Sequence, residues 1–321
     1  MLLLKFVCAV LTRALFLLLA LLAVWRVCLV KNHHWFWLLT VLFTPLLLET
    51  IITLKRSKGQ EYKWFSPAIL FFLISIIPSI WILELHHQES KSSDPQCKKL
   101  DSWNSVKSMV ESFNATHGND TLKRLEDILS IVCPNDWILA LHQCLLILLI
   151  LGKWLLPLGG GLTRDELSQL LLIFVGTAAD ILEFTSETLS DVKDKSPQLV
   201  YIILAVWTWS MLQFPLHLSV VTSRPDESVE KEEEEKQTGC CRCVLIERHS
   251  TDIWNIVESL FIQDGPFLVV RLMVMAYFKV FHQMLLFFAI KNFLVVILNL
   301  YRLVVICLDA KPSARPSSPT L

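Results

Sequence analysis

About eight apolar runs, each long enough to cross a bilayer, occupy most of this 321-residue chain. A transmembrane helix needs roughly 20 predominantly apolar residues. The runs cover residues 9–30, 35–54, 67–85, 137–157, 167–189, 199–221, 253–276 and 280–308. Only 18% of the residues are charged, against about 25% in soluble domains. The sequence therefore predicts an all-α polytopic integral membrane protein with about eight transmembrane helices, whose main partner is the lipid bilayer.

The short connection after the second run predicts the orientation of the chain. It contains four basic residues, Lys55, Arg56, Lys58 and Lys63, and one acidic residue, Glu61. Because cytoplasmic loops carry an excess of Lys and Arg, we expect this connection to face the cytosol. Eight crossings then place both termini in the cytosol. The net charge of −1, with basic residues scattered at the ends of the runs, gives no field for binding nucleic acid, so a nucleic-acid partner is not expected.

The apolar runs and the polar stretches between them divide the chain into six segments. They are transmembrane helices 1–3 (residues 1–85), an external loop (86–136), helices 4–6 (137–221), a cytosolic acidic and Cys-rich loop (222–252), helices 7–8 (253–308) and a cytosolic tail (309–321). The sequence Asp264-Gly265-Pro266 lies within the seventh run. Since Gly and Pro weaken helices, it leaves open whether that helix is broken there.

The external loop carries candidate sites for covalent modification. Asn114-Ala-Thr and Asn119-Asp-Thr are N-glycosylation sequons, and Cys97 and Cys133 bracket them as a disulfide in an oxidising compartment would. The alternative for the two cysteines is a pair of unpaired thiols. Glycosylation implies passage through the secretory pathway, so we expect the protein in the plasma membrane or a secretory-pathway membrane.

Three cysteines, Cys240, Cys241 and Cys243, lie close to the seventh run on the predicted cytosolic side. Disulfides are disfavoured in the cytosol. Cysteines next to a membrane segment are typical sites of reversible palmitoylation, which would hold the loop at the bilayer. Two alternatives stay open, namely a zinc site completed by His249 and unmodified thiols. Adjacent cysteines fit tetrahedral zinc less well than C-x-x-C spacing does.

Nine short sequences spread over nearly every run resemble those of the transmembrane protein 26 family, a set of multi-pass membrane proteins. They are YKWFSP (62–67), ELHH (84–87), KWLLP (153–157), VGTAAD (175–180), EFTSE (183–187), WTWSMLQFP (207–215), FIQDGPFLVVR (261–271), KNFL (291–294) and YRL (301–303). The resemblance implies a polytopic membrane fold. It implies no biochemical activity, so no catalytic residue is carried over from the family.

Charged residues inside the apolar runs are the candidates for a functional core, because a charge at the bilayer centre costs roughly 2.5–3.5 kcal/mol on insertion scales. They are Asp180, Glu183, Asp264, Arg271 and Lys291. Asp180 and Glu183 form one helical stripe, which Glu187 extends at i+7. We expect Lys291 or Arg271 to neutralise one or more of the carboxylates. The pairs then serve packing alone, line a water-filled path for cations or solutes, or form a ligand pocket in a receptor-like protein.

No enzyme signature occurs in the chain. His-Glu-x-x-His, Gly-x-Ser-x-Gly and kinase motifs are missing, so we expect no catalytic activity and no cofactor or metal. Seven histidines lie on or near the predicted outer side: His33, His34, His86, His87, His117, His142 and His282. Histidine changes charge near neutral pH, so a proton or metal sensor is a further interpretation. The leading prediction is a membrane protein of unknown activity, a candidate transporter or channel. The alternative is a receptor-like or scaffolding protein whose intramembrane charges are structural.

Overall fold

The computed structural model describes residues 2–56, 65–89, 133–156, 164–189, 197–216, 250–279 and 281–309. These residues are almost entirely helical, and the one extended contact among them is an antiparallel bridge between Phe65 and Leu216. Several predicted modification sites lie outside the described residues, namely Cys97, Asn114, Asn119, Cys240, Cys241 and Cys243.

Eight helices, which we label α1 to α8, follow one another in the described ranges. They are α1 (Leu2–Lys31), α2 (a 3-10 segment His34–Phe43 continued by Thr44–Arg56), α3 (Pro67–Glu89), α4 (Pro134–Leu155), α5 (Arg164–Glu183 with a π-helical turn Phe184–Leu189), α6 (Pro197–Met211), α7 (Ser250–Glu258, a π-helical turn Ser259–Gln263 and Asp264–Phe278) and α8 (Gln283–Asp309). Six of these, α1 to α4, α7 and α8, are long and apolar enough to span a membrane. The predicted all-α polytopic class is confirmed.

Helix α6 is shorter than the sixth apolar run, which extends to residue 221. The helix ends at Met211, and the next backbone N–H groups, of Leu212, Gln213 and Phe214, bond to carbonyls three residues back. Pro215 has no N–H with which to continue an α-helix. Its carbonyl instead accepts a 2.8 Å hydrogen bond from the N–H of Ser66, just before α3. At 1.5 Å per residue, the 15 residues of α6 fall short of the roughly 30 Å hydrocarbon layer.

The N-terminal half packs around the contact of α1, α3 and α4. The rings of Phe16 and Phe72 are stacked with their centroids 4.3 Å apart, and both side chains are fully buried. A Cβ added to Gly152 of α4 would lie only 2.7 Å from the ring of Phe16. Small residues at such crossings let transmembrane helices approach closely, which increases their van der Waals contact.

Candidate functional site: a charged core within the membrane

Helix α5 carries two of the predicted core carboxylates in the last turns of its regular part. Asp180 and Glu183 are three residues apart, which puts them on neighbouring positions of one helix face. The π-helical turn Phe184–Leu189 begins directly after Glu183. Because a π turn is wider than an α turn, Glu187 leaves the stripe that it would share with the other two carboxylates in a regular helix.

Asp180 forms an ion pair with Lys291 of α8. The Nζ of Lys291 donates to Oδ1 of Asp180, and the Nε2 of Gln263, at the end of the π turn in α7, donates to Oδ2 at 3.3 Å. One carboxylate therefore links three helices. The side chains of Lys291 and Asp180 are each 31% exposed, so this pair lies at the margin of the packed core.

Glu183 pairs with Arg271 of α7 at 2.5 Å between Oε2 and Nη2. The same guanidinium donates through Nη1 to the carbonyl oxygen of Phe288 on α8 at 3.2 Å. It also lies over the rings of Phe184 and Phe288, 5.6 Å and 5.3 Å from their centroids. Arginine suits this position because its planar group bonds and stacks at once. The Arg271 side chain is only 1% exposed, so the guanidinium is sealed inside the helix contact.

Asp264 is held by hydroxyl and amide groups. The Oγ of Ser259 donates to Oδ2 of Asp264 at 2.6 Å, and Nδ2 of Asn299 on α8 donates to that Oγ at 2.8 Å. In the part of the chain that the structure describes, Asp264 forms no ion pair. The cations therefore pair with the carboxylates of α5, whereas Asp264 is bound by a chain of neutral groups, Ser259 of α7 and Asn299 of α8.

The sequence Asp264-Gly265-Pro266 does not break α7 but follows a π-helical turn, Ser259–Gln263. A Cβ on Gly265 would lie 1.9 Å from the carbonyl oxygen of Leu260, so only glycine permits this close approach. Pro266 cannot donate to the carbonyl of Phe261, five residues earlier. That carbonyl accepts a 2.9 Å hydrogen bond from the indole N–H of Trp209 on α6 instead. The local sequence thus creates an opening in the backbone ladder, and a neighbouring helix fills it.

Two further charged contacts involve residues that the sequence analysis did not pair. Arg13 of α1 binds Glu49 of α2 in a bidentate manner, Nη2 to Oε1 at 2.8 Å and Nε to Oε2 at 3.1 Å. His142 of α4 lies 3.4 Å from Glu84 of α3. All four side chains are at most 5% exposed. Each lone charge in an apolar run signals that a partner is needed, but nothing local in the sequence identifies which one.

The remaining predicted site residue with described coordinates is Cys133. It is 5% exposed and directly precedes α4. Among the described residues, no group of three or more His, Cys, Asp or Glu side chains is arranged to hold a metal ion. These charged side chains are chemically able to exchange protons between carboxylates or to bind a small cation in place of the Lys291 ammonium group. They can also serve only to hold the helices together.

No solved structure matches this chain. The model of the family described as transmembrane protein 26 matches residues 3–302, which cover α2 to α7 in full and most of α1 and α8. That description agrees with the helical, apolar architecture of the chain. The chain belongs to the transmembrane protein 26 family.

Proposed function

We propose that this protein is a transporter or channel for protons or other small cations, with a path that passes the Asp180–Lys291 pair. The supporting observation is the contrast between two adjacent ion pairs. Arg271 is 1% exposed and its partner Glu183 is 16% exposed, whereas Lys291 and Asp180 are each 31% exposed. A charge facing hydrocarbon is costly. A partly open pair within the membrane therefore needs water or a solute beside it.

The two pairs differ in what each is suited to do. Arg271 is fixed by a carboxylate, a backbone carbonyl and two rings, so it serves as a permanent counter-charge. Lys291 has one carboxylate partner and a longer contact with the Phe288 ring, 5.9 Å to its centroid. Lysine is a point charge on a flexible stem. A cation that displaces its ammonium group from Asp180 needs to disrupt only one ion pair.

A second candidate function, that of a receptor-like or scaffolding protein, has its own support. The Arg13–Glu49 pair is 1% and 5% exposed, so this chain also buries charges where they only join helices. In that reading the core carboxylates are structural and nothing permeates. The two candidates differ in whether neutralising the Asp180–Lys291 pair changes transport or only folding.

The discriminating experiment uses the full chain reconstituted in phosphatidylcholine vesicles that contain a pH-sensitive dye, with a potassium gradient and valinomycin to drive proton entry. Asp180→Asn alone leaves a lysine unpaired and is expected to lower the folded yield. Asp180→Asn/Lys291→Met removes both charges, which costs little when the partners are replaced together. We expect this double variant to fold and to lose proton or sodium flux.

A matched control removes a pair outside the core. Arg13→Met/Glu49→Leu is expected to fold and to keep the flux of the wild-type protein. Flux in the wild type no higher than in protein-free vesicles, for both protons and sodium, would refute transport of these ions. Equal flux in the wild type and the core double variant would assign the Asp180–Lys291 pair to packing and favour the scaffolding function.

We further propose the topology and modifications that the sequence predicts: cytosolic termini, glycans on Asn114 and Asn119, and a Cys97–Cys133 disulfide. Burial of Cys133 supports the last point, and it is not among the free cysteines of the described residues, which are Cys8, Cys28, Cys144 and Cys307. Asn114→Gln/Asn119→Gln should run on a gel at the mobility of the endoglycosidase-treated wild type. A mobility unchanged by the enzyme in the wild type would refute glycosylation.

Palmitoylation of Cys240, Cys241 and Cys243 is likewise a proposal, supported by their place next to α7. Acyl-exchange labelling of the wild type, compared with a variant in which all three are serine, tests it directly. Equal labelling of the two proteins would exclude these positions. We also propose that the protein has no enzymatic activity and that it resides in the plasma membrane or a secretory-pathway membrane.

A further inference from the structure

A small polar cavity of about 60 Å³ lies between α3, α4 and the π-helical turn of α5. Its wall includes Glu84, Asn135, His142 and the hydroxyl residues Thr185 and Ser186. The share of liquid volume per water molecule is about 30 Å³, so the cavity has room for about two waters. It lies at the end of the bundle to which the 86–136 connection is attached.

The buried histidine in this cavity has unused hydrogen-bonding capacity. His142 is 2% exposed, and neither Nδ1 nor Nε2 has a hydrogen-bond partner among the described residues. Its Nε2 lies 3.4 Å from Oε1 of Glu84, close enough for an ion pair once the imidazole is charged. Buried polar atoms are normally satisfied by protein or by ordered water. The unsatisfied ring nitrogens therefore point to water or a proton in the cavity.

Charged and aromatic groups from four helices surround His142. Glu84 is the carboxylate in contact from α3. From α6, the ring of Trp207 meets the imidazole edge-on, with centroids 4.8 Å apart. From α1, the guanidinium of Arg26 lies over the ring of Trp137, 5.2 Å from its centroid. Trp137 precedes His142 by five residues on α4. From α5, Glu187 is the ionisable residue of the π turn that supplies Thr185 and Ser186.

Two residues that line the cavity are close in sequence to a carboxylate of the charged core. Thr185 and Ser186 follow Glu183 by two and three residues, and the Oγ of Ser186 donates to the carbonyl oxygen of Glu183 at 3.3 Å. The π turn thus lines the cavity and begins directly after Glu183, the second core carboxylate of α5. A proton bound at His142 is separated from Glu183 by a segment rich in hydroxyl groups.

We propose that Glu84 and His142 form a proton-binding site in a hydrated cavity, and that this site admits protons to the core from the side of the 86–136 connection. A hydronium ion gives its proton to the free imidazole nitrogen, becomes water, and leaves an imidazolium paired with the Glu84 carboxylate. Release of that proton to the next water restores the neutral ring. The admitting role rests on the proposed transport function, whereas proton binding itself does not.

The fluorescence of Trp207 tests proton binding without any transport assay. A charged imidazolium quenches an adjacent indole more strongly than the neutral ring does, so lowering the pH should reduce emission from the purified full-length protein. The contribution of Trp207 is the difference between the wild type and Trp207→Phe. We expect this pH-dependent difference to be lost in His142→Gln and kept in His282→Gln, the control at an exposed histidine that precedes α8.

Flux measurements in the same vesicles test admission to the core. With the acidic solution on the side of the 86–136 connection, His142→Gln should lose most of the proton flux while sodium leak stays unchanged. A pH-dependent Trp207 signal that persists in His142→Gln overturns the proton site. A lost signal with unchanged proton flux overturns its admitting role. Should the wild type carry no flux but show the His142-dependent signal, the transport function fails and the proton site stands.

Discussion

Removing one partner of the Arg13–Glu49 pair should destabilise the protein far more than removing both. The pair joins α1 to α2 through two hydrogen bonds of 2.8 and 3.1 Å, and its side chains are 1% and 5% exposed. Thr53 donates a further bond to Glu49 at 2.8 Å. Breaking a buried pair by removing one partner typically costs about 3–5 kcal/mol, because the other charge stays buried without compensation.

Among the described residues, Arg13→Met leaves Glu49 with the Thr53 hydroxyl. Glu49→Leu leaves a buried guanidinium that has lost this carboxylate but still donates from Nη1 to the carbonyl oxygen of Ala9 at 3.3 Å. If the two changes acted independently, the double variant would lose about 6–10 kcal/mol, which is comparable to the entire stability of a typical domain, about 5–15 kcal/mol. With both charges replaced by apolar side chains of similar volume, the expected change in unfolding free energy is near zero. The double variant should therefore be about 6–10 kcal/mol more stable than the sum of the two single effects predicts.

Unfolding in mixed micelles at increasing mole fractions of sodium dodecyl sulfate, followed by helical circular dichroism, measures these free energies in a double-mutant cycle. Thr53→Ala is the control for loss of one hydrogen bond. This bond lies within α2, and a hydrogen bond to a charged group is typically worth about 1.5–3 kcal/mol, so we expect Thr53→Ala to cost less than either single variant of the pair. The reasoning is refuted if either single variant costs less than about 1 kcal/mol, or if the double variant loses the sum of the two single effects.

Three further predictions concern the helices around the core. Gly265→Ala should destabilise the protein by about 3 kcal/mol or more, since its Cβ would overlap the carbonyl of Leu260, whereas Gly176→Ala on α5 meets nothing within 4 Å and should be neutral or slightly stabilising in the same micelle titration. Trp209→Phe removes the donor to the carbonyl of Phe261 and should cost about 0.6 kcal/mol; hydrogen exchange at the π turn of α7 should rise in this variant, and unchanged exchange there would contradict the role given to the indole. Gly152→Ala should separate α4 from α1, because its Cβ would lie 2.7 Å from the Phe16 ring; a melting temperature equal to that of the wild type would show that the ring moves aside without cost.

The location of the membrane charges could be predicted from the sequence, but their partners could not. Hydrophobic periodicity places Asp180 and Glu183 on one face of a helix, and that local geometry is present in α5. The partner of Asp180 is Lys291, 111 residues away. That distance is bridged only when α5, α7 and α8 pack together, and the shape of a helix contact is not encoded in the periodicity of any one helix.

The π-helical turns show a second limit. The sequence Gly265-Pro266 predicts a disturbance in α7, because Pro removes a hydrogen-bond donor from the helix. The helix continues through a π-helical turn, and the carbonyl of Phe261 in that turn accepts a hydrogen bond from the indole of Trp209 on α6. A contact with a distant helix of this kind cannot be read from the local sequence. The wider turn of α5 gives no comparable signal in Phe184–Leu189, so the displacement of Glu187 from the carboxylate stripe could not be foreseen.

Two ion pairs, one in each half of the molecule, differ in how deeply they are buried. In the N-terminal half, Arg13 and Glu49 are enclosed by α1 and α2 at 1% and 5% exposure, and a purely structural role accounts for them. In the C-terminal half, Asp180 and Lys291 remain 31% exposed, although closer packing of α8 would remove that cost. The structural account of the enclosed Arg13–Glu49 pair does not by itself explain why Asp180 and Lys291 stay partly exposed. The proposed transport function supplies such a reason, namely access for water and small cations, and it links the open pair to the cavity beside His142.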